Sequence, residues 1–323
     1  MRVRILLKKT WTKIAAFVVL VSVVQVAAFH HYNSILGQAN SLTNQSGDSN
    51  LLASNQQIRA EVEKLKAKYP VVDVSPDGQY VAYADTSNIV HVMDLTTDKQ
   101  LMQYNEGNLV TYLLWIRNDT LFVGLQQSPG VITLNTLDIL EPNSPNRLIH
   151  TFYVSPTASI RKISYSYLTN DTYILIATDS SSVLYHYDTN GNINRVHLGG
   201  VFVKNVAVTL TGDILYYEDY SNGTFNVMSD NNGTIQTIQQ GGALIDVVNN
   251  TLYYGVINNQ GLVTAVYKLV NGQGVLVSTL AQPELAEKIS VNSNGQITIH
   301  HRLPSNILQP SSNTSTDAAS AGG

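Results

Sequence analysis

The chain has 323 residues, a formal charge of −4 at neutral pH, 13% charged residues and no cysteine. An apolar share of 44% excludes wholesale disorder and is ample for one core plus appendages. The missing cysteines exclude a disulfide framework, thiolate metal sites and thiol catalysis, and no basic stripe past the N-terminus supports nucleic-acid binding.

The chain opens on Arg2, Arg4, Lys8, Lys9 and Lys13 with no acid among them, followed by an uncharged run from Ile14 to Phe29. A basic flank before an apolar run places the N-terminus in the cytoplasm and the rest outside. Residues 1–13 are therefore expected to be a cytoplasmic basic tail, and residues 14–32 a transmembrane signal-anchor in the cell membrane. Trp11 suits the inner interface, Lys13 can snorkel, and His30, His31 and Tyr32 form the outer edge. A cleaved signal peptide is the competing reading, cut after Ala28 or after Ala39.

Residues 33–50, rich in Ser, Asn, Gln and Gly, read as a flexible spacer. A helix is expected over 51–69, where Leu51, Ile58, Val62, Leu65 and Tyr69 recur at steps of four and three, with Asn55 in the same seam. Fewer than three heptads favour an amphipathic helix packed under the next domain over a coiled-coil stalk.

Residues 70–303 are repetitive. VVDVSPDGQYVAYADTSNIVHVMDLTTDKQLMQY parses as four short strands, 71–75, 79–84, 89–94 and 100–104. The turn-then-strand feature recurs at Asn118, Asn170, Gly212, Asn250 and Asn294, and the spacings from Asp77 onward are 41, 52, 42, 38 and 44 residues. A period near 40 with four strands per unit is that of a β-propeller blade. Six Asp-Gly or Asn-Gly pairs, at Gly78, Gly191, Gly223, Gly233, Gly272 and Gly295, suit the positive φ of tight hairpin turns. The fourth unit reads as 201–209, 213–218, 224–228 and 234–238. The long spacing is assigned to an elongated loop, LEPNSPNRLIHTFYVSPTAS, between units two and three. The last unit has only two strands, 287–292 and 296–301, so either an N-terminal segment completes the ring or the domain is a less regular barrel or sandwich. The expectation is an all-β chain: a propeller of about six four-stranded units, the last incomplete, behind a transmembrane helix and a short helix. Residues 304–323 read as a disordered tail.

The segment SPDGQYVAYAD…IVHVMDL resembles the TolB-like, WD-repeat-like propeller blades of exported proteins, with Ser75, Pro76, Asp77 and Gly78 as the turn between the first two strands and Val92, Met93, Asp94 and Leu95 ending the third. The close match covers about residues 71–100; the other units match in period and pattern. The Gly-His and Trp-Asp dipeptides of WD repeats are absent. The resemblance implies a fold and carries almost no function.

Catalytic signatures are missing: no G-x-S-x-G, so the hydrolase half that accompanies such propellers in prolyl peptidases is not expected, and no P-loop, dinucleotide fingerprint or H-E-x-x-H. His300 and His301, adjacent on a strand, point to opposite faces and chelate poorly, and His30 and His31 suit an interfacial edge. Asp188, Asn190 and Asn192 form a D-x-N-x-N run faintly like a calcium loop, but Ile193 and Gly199 stand where an EF-hand needs Gly and Glu, so a polar turn is favoured. Sequons at Asn44, Asn118, Asn170, Asn222, Asn232, Asn249 and Asn313 barely exceed the roughly five expected by chance.

No catalytic, cofactor-binding or metal residue is assigned and no cofactor is expected. From residue 70 onward ten Lys/Arg stand against twenty Asp/Glu, a sparse acidic surface suited to an acidic exterior. The functional expectation is a membrane-anchored, extracytoplasmic, non-catalytic binding or scaffold module whose partner is another envelope protein or a glycan. The alternatives are a lactonase-type propeller hydrolase and a ligand sensor acting through a membrane partner.

Overall fold

The computed structural model describes residues 49–300 except 142–145, 199, 201 and 213, with side chains from residue 58. The basic tail 1–13, the anchor 14–32, nearly all of the spacer 33–50 and the tail 304–323 lie outside the described residues. Among those described, no helix is long and apolar enough to cross a membrane. Contacts divide the chain at Arg59. Of the first unit only the opening turns of helix α1 (Ser49–Lys68) are described.

Past α1, the described residues of the second unit are built of β-sheets. Its first sheet is β1 (Val72–Val74), β2 (Tyr80–Ala84), β3 (Val90–Asp94) and β4 (Lys99–Tyr104). The second is β5 (Leu109–Trp115), β6 (Thr120–Ser128), β7 (Val131–Asp138) and β8 (Arg147–Tyr153). The third is β9 (Ser159–Tyr165), β10 (Thr172–Ala177), β11 (Ser182–Tyr187) and β12 (Ile193–Val196). The fourth is β13 (Phe202–Val208), β14 (Ile214–Ser221), β15 (Thr224–Asn231) and β16 (Thr234–Gln240). The fifth is β17 (Gly242–Val248), β18 (Thr251–Ile257), β19 (Val263–Val270) and β20 (Gln273–Glu284). A 3-10 turn, Ala286–Lys288, leads into a two-stranded sixth sheet of β21 (Ile289–Val291) and β22 (Ile297–Ile299). Every strand pairs antiparallel with its sequence neighbour.

The 140–159 segment is not wholly a loop. Arg147–Tyr153 forms β8 and closes the second sheet, because Phe152 pairs with Ile132 and is buried against the third sheet. The prolines and acids before it hid this alternation.

Burial grades across each sheet. Second strands such as β6 and β14 are buried over most of their length, whereas β16 is almost entirely exposed. Apolar clusters lie between consecutive sheets: first with second around Val92 and Leu113, second with third around Phe122 and Ile174, third with fourth around Leu175 and Tyr217. Fourth and fifth meet around Tyr216 and Leu244, fifth and sixth around Val263 and Ile289. Sheets stacked face to face in chain order are consistent with a propeller.

The first sheet has one face left after the second sheet covers Ala82, Ala84, Val90 and Val92. Its opposite face, with Val72, Val81 and Tyr83, takes Leu65 of α1 and Tyr69 just past its end. Tyr69 stacks on Tyr83 at 4.5 Å, Tyr83 stacks on His91 at 4.9 Å, and Lys68 lies over Tyr69. The end of the helix therefore covers the face of the first sheet that the second sheet leaves free.

The glycine pairs divide into two turn types. At Asn222-Gly223, Asn232-Gly233 and Asn271-Gly272 both residues have positive φ, the two-residue primed hairpin. At Gly78, Gly191 and Gly295 only the glycine does, each closing a four-residue turn.

Candidate functional site

The first strands β5, β9, β13 and β17 share an irregularity. In each, one residue is skipped in the pairing with its neighbour: Thr111, Arg161, Lys204 and Ile245. A bulge of this kind turns two successive side chains toward one side, where a regular strand sends them apart. That accounts for three consecutive pairs, Arg161-Lys162, Lys204-Asn205 and Ile245-Asp246, all lining one cavity of 530 Å³. Phe202, Phe225, Glu287 and Ile289 complete much of its wall. The volume falls in the range of small-molecule sites.

The cavity's charges are organised around Lys204. Its Nζ lies 2.8 Å from Glu287 Oε1 and 3.4 Å from Glu218 Oε1, and 5.4 Å from the centre of the Phe225 ring. Glu218 is 1% exposed, and its other oxygen accepts the Leu244 N–H of the fifth sheet at 2.9 Å. Burial pushes the Glu218 carboxyl above its ordinary value against the opposing pull of Lys204. Burial acts the same way on Glu287, but there Lys204 prevails and holds the carboxyl low. Burial works against the Lys204 ammonium too, yet the two glutamates outweigh it and raise its pKa. Glu287 Oε2 is buried with no hydrogen-bond partner among the described residues. Across the cavity Arg161 pairs with Asp179 at 3.1 Å.

The opposite, turn ends of the first strands carry a different chemistry. Asp73 Oδ2 accepts the Trp115 N–H at 2.7 Å, and the indole N–H donates to the Asp73 carbonyl. Ser164 Oγ accepts from Val208 N–H, linking third to fourth sheets, and midway along β5 Tyr112 Oη accepts from Ile163 N–H, linking second to third. Turn asparagines continue the pattern: Asn118 accepts from Asp77 N–H, Asn250 from Leu210 N–H, and Asn249 donates to the Ser293 carbonyl. These bonds satisfy backbone groups that no strand pairs. Burial pushes the Asp73 carboxyl up to about 6, opposed by the Trp115 N–H and by the charges of Lys66 and Lys162.

The residues singled out in the sequence lie elsewhere. Asp188 accepts the N–H groups of Asn190 and Asn192 and the Asn192 side-chain amide, at 2.8 to 3.0 Å, as the cap of its own turn. Asp85, Asn258 and Asn292 cap turns in the same way. His300 contacts Ser290 Oγ at 2.7 Å, and His30, His31 and His301 lie outside the described residues. No group of three or more metal-ligating side chains gathers among the described residues. Two histidines not singled out make matching arrangements: His91 on Asp85 and His186 on Asp171, each stacked on its cross-strand tyrosine, Tyr83 or Tyr173. Both sit on middle strands away from the cavity and tie turns to sheets. The cavity leaves no mark in the sequence because its bulge positions hold Arg, Lys and Ile, with no common residue type among them.

No family model and no curated protein matches this sequence. Solved structures do match in shape. An oligogalacturonate lyase in complex with manganese aligns at a TM-score of 0.54 with 12% identity, over 71% of this chain and 72% of that one. A prolyl endopeptidase aligns at 0.51 with 16% identity, over 68% of this chain and 36% of the other, so this chain spans little more than a third of that enzyme's length. TolB from Acinetobacter baumannii aligns at 0.46 with 12% identity, over 66% and 55%. Similarity this remote in sequence is a likeness of fold, and the chain takes its place among all-β proteins of propeller-like architecture.

Proposed function

We propose that the chain is a membrane-anchored, extracytoplasmic β-propeller of six units, the last with two strands, serving the cell envelope as a non-catalytic binding or scaffold module. The N-terminal charge pattern supports the anchor, with the N-terminus in the cytoplasm and the sheets outside. The observation that carries the binding reading is the cavity at the bulged ends. Most of its wall belongs to hydrogen-bonded strands, and Lys204 and Arg161 are committed to ion pairs with Glu218, Glu287 and Asp179. Such a site is shaped for recognition: rigid walls, a few fixed charges and two aromatic rings. The partner is another envelope protein or a glycan at the membrane.

A hydrolase is the second reading, and it draws on the opposite shifts of Glu218 and Glu287, the pattern of an acid–base pair. Glu218 does not line the cavity and gives both oxygens to Lys204 and Leu244, which leaves it no route to a substrate.

The test is affinity purification of the full-length protein from its native membranes, with intact-mass measurement and a hydrolysis assay on lactone and phosphoester substrates. A mass retaining residues 1–39, in the detergent fraction with a stoichiometric partner, supports the anchored module. A soluble, solitary protein starting near residue 29 or 40 overturns the anchor. Turnover abolished by Glu218→Gln overturns the non-catalytic reading.

A further inference from the structure

The cavity has an electrical direction. On the β9 wall Lys162 has no acid within ion-pair distance among the described residues, although its charge is felt at Asp73. Two sheets further on, Asp246 is likewise outside any ion pair among the described residues; one of its oxygens accepts only the neighbouring Val247 N–H. Beside it, on the 3-10 turn before β21, Glu287 holds Lys204 with one oxygen and leaves the other buried and without a hydrogen-bond partner among the described residues. Lys204 stands between these walls and is neutralised by two glutamates. One wall is thus left cationic and the far wall anionic, with Phe202, Phe225, Ile245 and Ile289 supplying apolar surface between them.

A ligand with a single charge answers only one wall. An anion leaves Glu287 Oε2 unsatisfied and meets Asp246, and a cation leaves Lys162 unpaired. Unsatisfied buried acceptors are costly, and charge-assisted hydrogen bonds are the strong ones. We infer that the cavity binds a zwitterion of the amino-acid or short-peptide class, its carboxylate on Lys162, its ammonium on Glu287 and Asp246, and an apolar side chain against the two phenylalanines. This rests on the reading of the cavity as a binding site and names what enters it.

The test uses the full-length protein in detergent and isothermal titration with Gly-Phe and phenylalanine, each free, N-acetylated and C-amidated, with maltose as an uncharged probe. The expected result is binding of the free forms, weakened about tenfold or more by either block, the loss of one charge-assisted contact. Lys162→Gln should erase the penalty of amidation and Glu287→Gln that of acetylation; the blocked series on unaltered protein stands alone if a variant fails to fold. Equal affinity for free and blocked forms, or binding of maltose alone, overturns the zwitterion while leaving the cavity a binding site. Silence with every probe overturns both.

Discussion

The two ends of the first strands solve the same problem in opposite ways. At the turn end, neutral amides, hydroxyls and one aspartate carry single hydrogen bonds from sheet to sheet. At the bulged end neutral bonds also cross, from Val203 N–H to Ser182 Oγ and from the Asn205 amide to the Leu244 carbonyl, but a lysine and two glutamates add a charged joint around an open cavity. Neutral bonds tolerate loss, since each contributes about 1 kcal/mol. A buried charge network does not, because removing one member strands the others. The end that is more fragile to substitution is the one that holds the space for a ligand.

The largest effect belongs to Glu218→Ala, which leaves Lys204 half-compensated and the Leu244 N–H without its acceptor. A loss of about 3–5 kcal/mol is expected in urea unfolding, and a loss under 1 kcal/mol would dissolve the distinction between the ends. Next comes the acid–base behaviour of Asp73. Its carboxyl is held at about 6 in the fold, above its value in an unfolded chain, so the folded state binds the extra proton between roughly pH 4 and 6. Its contribution is fully present below pH 4 and is lost as pH rises through 6, up to about 3 kcal/mol. Asp73→Asn should flatten that slope when melting temperatures are compared at pH 4.5 and 7. Asp85 and Asp188, held low by His91 and Asn192 respectively, act in the other sense and give up stability as pH falls below their unfolded values. A protein whose melting point collapsed between pH 5 and 3 would contradict the acidic-exterior expectation.

Gly124→Ala probes packing beside the Thr111 bulge. A Cβ there would stand 2.8 Å from Ile160 Cδ1 and 2.9 Å from Tyr112 Cβ, tighter than side chains accept. The expected loss is about 1–3 kcal/mol by thermal denaturation. The smallest effect is Asn118→Ala at the turn end, where one bond to the Asp77 N–H disappears at an exposed site; a change of about 1 kcal/mol or less is expected from the same measurement.

The turn end was largely legible in the sequence and the bulged end was not. Turns announce themselves through residue types that physics restricts: glycine and asparagine at positive φ, aspartate or asparagine capping the loop. The repeat, its period and the two-stranded last sheet followed from these markers. A bulge has no such requirement. Lys204 and Arg161 satisfy it as well as Thr111 and Ile245, so its recurrence at every first strand from β5 to β17 is a fact of pairing that no single position encodes. Strand β8 was hidden for a related reason: Leu148 is exposed and Phe152 buried, and only the partner strand reveals which side matters.

Because every described strand pairs only with a sequence neighbour, none of the described sheets needs a distant segment in order to form. Loop closure within each sheet spans a single turn, so its entropic cost is small and the sheet can zip as soon as its own residues are free. The slow steps are then the stackings of finished sheets on one another and of α1 on the first. A chain threaded N-terminus first would have the helix face waiting when β1 to β4 emerged, and each later sheet would condense on one already in place.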